Sequence, residues 1–188
     1  MPDTAGLRSL GEFLDWERRQ PDRYELLDGI VRLMTGGSIA HGKISGNLYL
    51  QLRLKLAGSP CTALQNSVKV IAAGSSFYPD VVVTCSATED KNDVLPDPVV
   101  VFEVLSPTTA AIDSGRKKLR YFRIPSLRHY VLVEQDEPRI EIYSRDGELW
   151  TVRGVEGIEA SVDLPAISVS LPLASFYEGI AFSAGNPV

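Results

Sequence analysis

Histidine and cysteine are scarce in this chain, two of each among 188 residues. His41 and His129 lie far apart, and Cys61 and Cys85 fit no CxxC or Cys/His spacing, which excludes a zinc site built from local ligands. The two cysteines are expected to be small buried hydrophobes rather than a disulfide. No apolar run approaches the length of a membrane span. Met1–Gly6 has no basic stretch leading into an apolar core, so no secretory signal is read and the cytoplasm is the expected location. Excess positive charge is missing too: 19 Lys and Arg stand against 24 Asp and Glu, a net charge of −5. That balance argues against coating nucleic acid through bulk charge and leaves only a local basic patch open. Repeats and low-complexity segments are absent. What remains is 44% hydrophobic and 23% charged, an ordinary globular composition. It suits one domain over residues 1–188, with a core from about 9 to 154 and an extension over 155–188.

Periodicity supplies the elements. Ser9 caps a short amphipathic helix running to Arg19, with Glu12 completing a capping box. Asp28-Gly29 sits between two short apolar strands, the dipeptide of a two-residue hairpin turn whose central positions need positive φ. Ile44, Leu48, Leu52 and Leu56 repeat every fourth residue and predict the longest helix, over 39–57. Strands follow at 62–64 and 67–71, then Gly74-Ser75-Ser76 as a turn leading into a strand that carries Asp80. Val99–Leu105 is apolar enough for a central strand covered on both faces. A helix over 113–124, with Leu119, Phe122 and Tyr121 as its inward-facing residues, precedes three strands at 129–134, 139–144 and 149–153 spaced as an antiparallel meander. Leu171–Tyr177 reads as a short helix. The fold class is mixed α/β (α+β).

Two carboxylates break this pattern. Asp80 and Glu103 each interrupt runs of β-branched and aliphatic residues, where an unpaired carboxylate suffers a desolvation penalty of roughly several kcal/mol. Either a metal ion or a basic side chain must compensate them. The competing structural reading makes Asp80 a turn residue and Glu103 a buried partner of Arg120 or Arg123.

The ordered set Tyr24-Glu25-Leu26-Leu27-Asp28-Gly29, His41-Gly42, Tyr78-Pro79-Asp80, Glu103-Val104-Leu105-Ser106-Pro107-Thr108-Thr109, Asp113 with Lys117 and Tyr121, and Ile124-Pro125-Ser126-Leu127 before Tyr130 resembles the Uma2 family of the PD-(D/E)xK nuclease superfamily. The resemblance implies a restriction-endonuclease-like mixed β-sheet flanked by helices. It implies a nuclease holding Mg²⁺ or Mn²⁺ on Asp80, Glu103 and the backbone carbonyl of Val104, acting on nucleic acid, with DNA the expected substrate and a homodimer the expected assembly. Hard oxygen donors suit such an ion. The simple ExK pattern fails at Leu105, and Lys117, four residues before Tyr121, matches the lysine of Uma2-like chains. Ile30 stands where many relatives carry a second glutamate. Glu25, His41, Lys118 and Tyr121 are supporting or substrate-contacting candidates, although His41 could equally cap the long helix and Lys117 could be a solvated lysine. The alternative function is a lapsed module of the same fold that binds nucleic acid or protein without cleaving it. His129 is expected to be structural.

Overall fold

A computed structural model describes residues 9–106 and 110–182 of the chain. Ser9 caps α1 (Leu10–Glu17), its hydroxyl accepting from the Glu12 backbone N–H at 3.3 Å and donating to the Glu12 carboxylate at 3.0 Å, so one of the two expected capping-box bonds forms. Strands β1 (Tyr24–Leu27) and β2 (Ile30–Leu33) close around Asp28 and Gly29, both at positive φ (53° and 79°). β1 also pairs with β5 (Ser75–Phe77), which pairs with β4 (Val70–Ala72), giving a four-stranded antiparallel sheet ordered β2-β1-β5-β4. Ser75 and Ser76 are therefore strand residues. The turn is Ala73-Gly74, both left-handed, and the strand expected at 67–71 begins only at Val70.

The larger sheet has six strands in the order β10-β9-β8-β7-β6-β3. Its members are β3 (Thr62–Gln65), β6 (Val81–Thr84), β7 (Pro98–Val104), β8 (His129–Val133), β9 (Arg139–Asp146) and β10 (Leu149–Glu156). Only β7 and β8 run parallel, and β8-β9-β10 form the expected meander. Between the parallel strands the chain must cross one face of the sheet. It does so through α3 (Ala110–Ile112), a wide π-type turn over Asp113–Lys117 and α4 (Lys118–Tyr121).

Both faces of β7 are covered, as its composition predicts. Val100, Phe102 and Val104 face a core filled by Ile44, Leu48 and Leu52 of α2 (Ile39–Lys55) and by apolar residues of the hairpin β11 (Ser161–Leu164) and β12 (Val169–Pro172). Val101 and Leu105 face the crossover, packing with Tyr121, Ile124, Leu127 and Phe77. The expected helix at 171–177 is instead the end of β12 followed by one 3₁₀ turn, Leu173–Ser175, because Leu171 pairs with Val162. Leu119, expected inward, is 60% exposed: the wide turn before it rotates α4 so that Lys117 and Tyr121 point at the sheet.

The cysteine expectation is corrected outright. Cys61 and Cys85 form a disulfide with Cα atoms 3.9 Å apart. The register Thr62↔Thr84, continued one step outward, sets them opposite each other, a juxtaposition that a gap of 24 residues in sequence does not reveal. The bridge staples the edge strand β3 to β6. Closing a loop of this length accounts for about 3 kcal/mol in the chain-entropy view. A thermal melt with reductant, or of Cys61→Ala, is expected to fall well below that of the oxidised protein, and unchanged melting would contradict a stabilising bridge.

Candidate active site

The β6–β7 register builds the centre of the site. Val81 pairs with Phe102, so one step further Asp80 lies beside Glu103. Asp80 Oδ2 accepts a 2.7 Å hydrogen bond from the backbone N–H of Val104 and stands 3.1 Å from His41 Nε2. That bond, with the Asp80 charge, raises the His41 pKa against the opposing effect of its burial. His41 does not cap α2. Ser38 does, accepting from the His41 backbone N–H, while the ring turns back over Gly37, where a Cβ would lie 2.8 Å from His41 Cγ. Gly37 is thus required by close approach of the imidazole.

Glu103 is 3% exposed, and its partner is neither Arg120 nor Arg123. Lys117 Nζ lies 2.9 Å from Glu103 Oε1, 3.1 Å from Glu25 Oε1 and 3.5 Å from Asp113 Oδ1. The lysine is 4% exposed, so the solvated-lysine reading is excluded. Tyr121 donates its hydroxyl to the same Glu103 oxygen at 3.1 Å, and Glu25 Oε1 also accepts from the backbone N–H of Tyr78 at 2.9 Å. Burial, followed by the charge of Asp113, Asp80 and Glu25, pushes Glu103 well above the usual carboxylate range, with Lys117 pulling the other way. Lys117 is held charged: burial opposes its proton most strongly, but Glu103, Glu25, Tyr121 and Asp113 together raise its pKa.

Lys118 is half-buried, with Nζ 3.1 Å from the Tyr143 hydroxyl and 4.2 Å from that ring's centre. Arg120 bonds Asp28 in the hairpin turn, which Arg116 also holds, tying β1–β2 to the crossover. His129 is buried in β8 with Nδ1 3.0 Å from Ser144 Oγ, far along the chain from these contacts and consistent with a structural role. Of the quoted motif, Pro107–Thr109 lie outside the described residues.

Three contributors were given no role in the sequence reading of the site, although Asp113 stood among its motif residues. Asp113 is buried beside Lys117, and the i,i+4 spacing was the signal for it. Gln135 donates to the Leu105 carbonyl and accepts from Ser38 Oγ at 2.6 Å, clamping the end of β7 to the start of α2. Nothing in the sequence marks it. Glu17 accepts from the Tyr78 hydroxyl at 2.8 Å and pairs with buried Lys69 at 2.9 Å, fixing the segment that leads into Asp80.

Among the described residues, no three His, Cys, Asp or Glu side chains are grouped as ligands for a metal ion. The donors at Asp80 and Glu103 are hard carboxylate oxygens, with His41 Nε2 a nitrogen 3.1 Å from Asp80. Two carboxylates suit Mg²⁺ or Mn²⁺, which retain several waters and take one or two carboxylates.

The sequence model of Uma2, described as "Putative restriction endonuclease", matches residues 10–174. This chain belongs to the Uma2 family. An uncharacterized protein of Synechocystis sp., slr1290, is 34% identical over 176 residues, covering 91% of this chain and 92% of the relative. A second from the same organism, sll1609, is 26% identical over 172 residues, covering 88% and 97%. A crystal structure from Anabaena variabilis, titled a "putative nuclease belonging to DUF820", superposes with a TM-score of 0.74 at 16% identity, covering 90% of this chain and 97% of that one. At that identity the likeness carries the fold, a restriction-endonuclease-like mixed sheet flanked by helices. No helix among the described residues of this Uma2 chain is long and apolar enough to cross a membrane.

Proposed function

We propose that the protein is a metal-dependent nuclease that hydrolyses phosphodiester bonds of nucleic acid, with DNA as substrate. Asp80, Glu103 and the Val104 carbonyl would hold Mg²⁺ or Mn²⁺. One observation carries the reading: two carboxylates meet on adjacent strands while a buried ammonium sits 2.9 Å from one of them. Bound there, such an ion would supply a Lewis acid and lower the pKa of water. The side chains have complementary tasks. The Val104 N–H and His41 orient Asp80, and Tyr121 orients Glu103. Lys117 brings positive charge to where a pentavalent phosphate would develop negative charge, and its burial strengthens that field. Lys118, on the next helical position, is suited to a flanking phosphate.

The lapsed-module reading has its own support. Glu103 already has an intramolecular cation, and Leu105, at the position of the motif lysine, is packed in the core. A cleavage panel of single- and double-stranded DNA and RNA with Mg²⁺ or Mn²⁺ separates the two. The nuclease reading expects metal-dependent cleavage of DNA that disappears in Glu103→Ala. Binding without cleavage across the panel would establish the module instead.

A further inference from the structure

Three carboxylates surround one lysine. Glu103 alone would neutralise Lys117, and Glu25 is a second partner, yet the chain also buries Asp113, 4% exposed, with its carboxylate 3.5 Å from the same ammonium. The location of this third acid is particular. Glu25 and Glu103 belong to strands of different sheets, whereas Asp113 lies four residues before Lys117 on the same turn and therefore travels with it. The turn is anchored, because the buried Tyr130 hydroxyl donates to the Asp113 carbonyl at 2.9 Å. Gly115, between the two, has a non-helical conformation (φ −109°, ψ −106°), which interrupts the regular helical turn there.

We propose that Asp113 is a positioning residue that retains Lys117 in the site when a divalent cation takes the lysine's place on Glu103. This rests on the nuclease reading above. In the structure described here, the ammonium occupies the Glu103 oxygen that also accepts from Tyr121. An ion arriving at Glu103 competes with that ammonium for one carboxylate. An ammonium has three N–H donors, and on losing Glu103 it keeps two anionic acceptors, Glu25 and Asp113. Asp113 lowers the cost of the exchange and leaves Lys117 beside the bound ion, aimed at the substrate phosphate. Of the four carboxylates, Asp80, Glu25, Glu103 and Asp113, only Asp113 shares a helical segment with the lysine.

Mn²⁺ binding measured by calorimetry tests this without reference to cleavage. Lys117→Gln keeps hydrogen-bond donors for the carboxylates but removes the competing charge, and is expected to bind Mn²⁺ roughly tenfold more tightly than wild type, a difference near 1.4 kcal/mol. Asp113→Asn is expected to bind it roughly tenfold more weakly. A simple loss of negative charge would also weaken binding, so the double variant decides. If Asp113 acts through Lys117, adding Asp113→Asn to Lys117→Gln changes the affinity by less than about twofold. An equal penalty in both backgrounds overturns the proposal. If Lys117→Gln fails to fold, the ¹⁵N resonance of the Lys117 ammonium provides a second measurement. Mg²⁺ is expected to shift it in wild type and to broaden it away in Asp113→Asn, whereas indifference to Mg²⁺ in both overturns the proposal. Wild type that binds no Mn²⁺ removes the nuclease reading and this inference together. Wild type that binds it, with no coupling between positions 113 and 117, removes this inference alone.

Discussion

Lys117→Met is expected to destabilise the protein by about 3–5 kcal/mol at neutral pH, the range found when one partner of a buried ion pair is deleted. Roughly 10 °C or more of melting temperature should be lost in a chain of this size. The reason is the number of groups left behind. Glu103, Glu25 and Asp113 all depend on this ammonium, and Glu103 is 3% exposed. The pH dependence follows in sign. In wild type, Lys117 has a raised folded pKa, so its contribution is fully present below its ordinary value of 10.5 and is lost as pH rises through the folded value. In Lys117→Met, Glu103 stays buried and loses the cation that opposes the rise of its pKa, so the folded state binds a proton there more readily than the unfolded chain. The deficit therefore shrinks as the solution is acidified. Thermal melts of both proteins from pH 5 to 8 check this, and a variant that melts with wild type at every pH would show that the lysine contributes nothing to the fold.

Asp80→Asn is expected to leave the fold intact and reduce metal-dependent cleavage by about 10³-fold or more, several kcal/mol of transition-state stabilisation. Asparagine can still accept from the Val104 N–H through its amide oxygen, so the β6–β7 contact survives. What it lacks is the negative charge that would hold the ion. The substitution thus separates structure from chemistry more cleanly than changes at Glu103 or Lys117, whose removal disturbs a buried ion pair. Cleavage rates with Mg²⁺ and Mn²⁺, measured beside a melting curve, give the answer. Full activity in Asp80→Asn would refute its assignment as a ligand, and lost activity with lost stability would point to a folding role.

Much of the scaffold was legible because its signals are local or periodic. Asp28-Gly29 needed two positive φ values, the i+4 repeat from Ile44 to Leu56 fixed the buried face of α2, and the unbroken run in β7 required cover on both sides. Asp80 and Glu103 stood out because each violated its surroundings. Several of the failures are decided by contacts that the local sequence does not announce. Cys61 meets Cys85 only through the β3–β6 register, and Ser75 and Ser76 become strand because β1 and β4 flank them. Leu119 faces solvent because a wide turn resets the helix phase, something a 3.6-residue periodicity cannot register. Gln135 contributes through hydrogen bonds to Leu105 and Ser38 that no spacing rule encodes.

The parallel pairing of β7 with β8 obliges the connecting chain to cross a face of the sheet, and here it crosses over Glu103. Two separate pieces of backbone therefore overlook the same carboxylate: the strand itself, and the bridge spanning its face. A cation can be supplied from either one. Here the strand position is filled by Leu105, free to pack with Val101 and Leu132, while Lys117 descends from the bridge. On the nuclease reading, either segment would supply the charge without any change to the strand pairing.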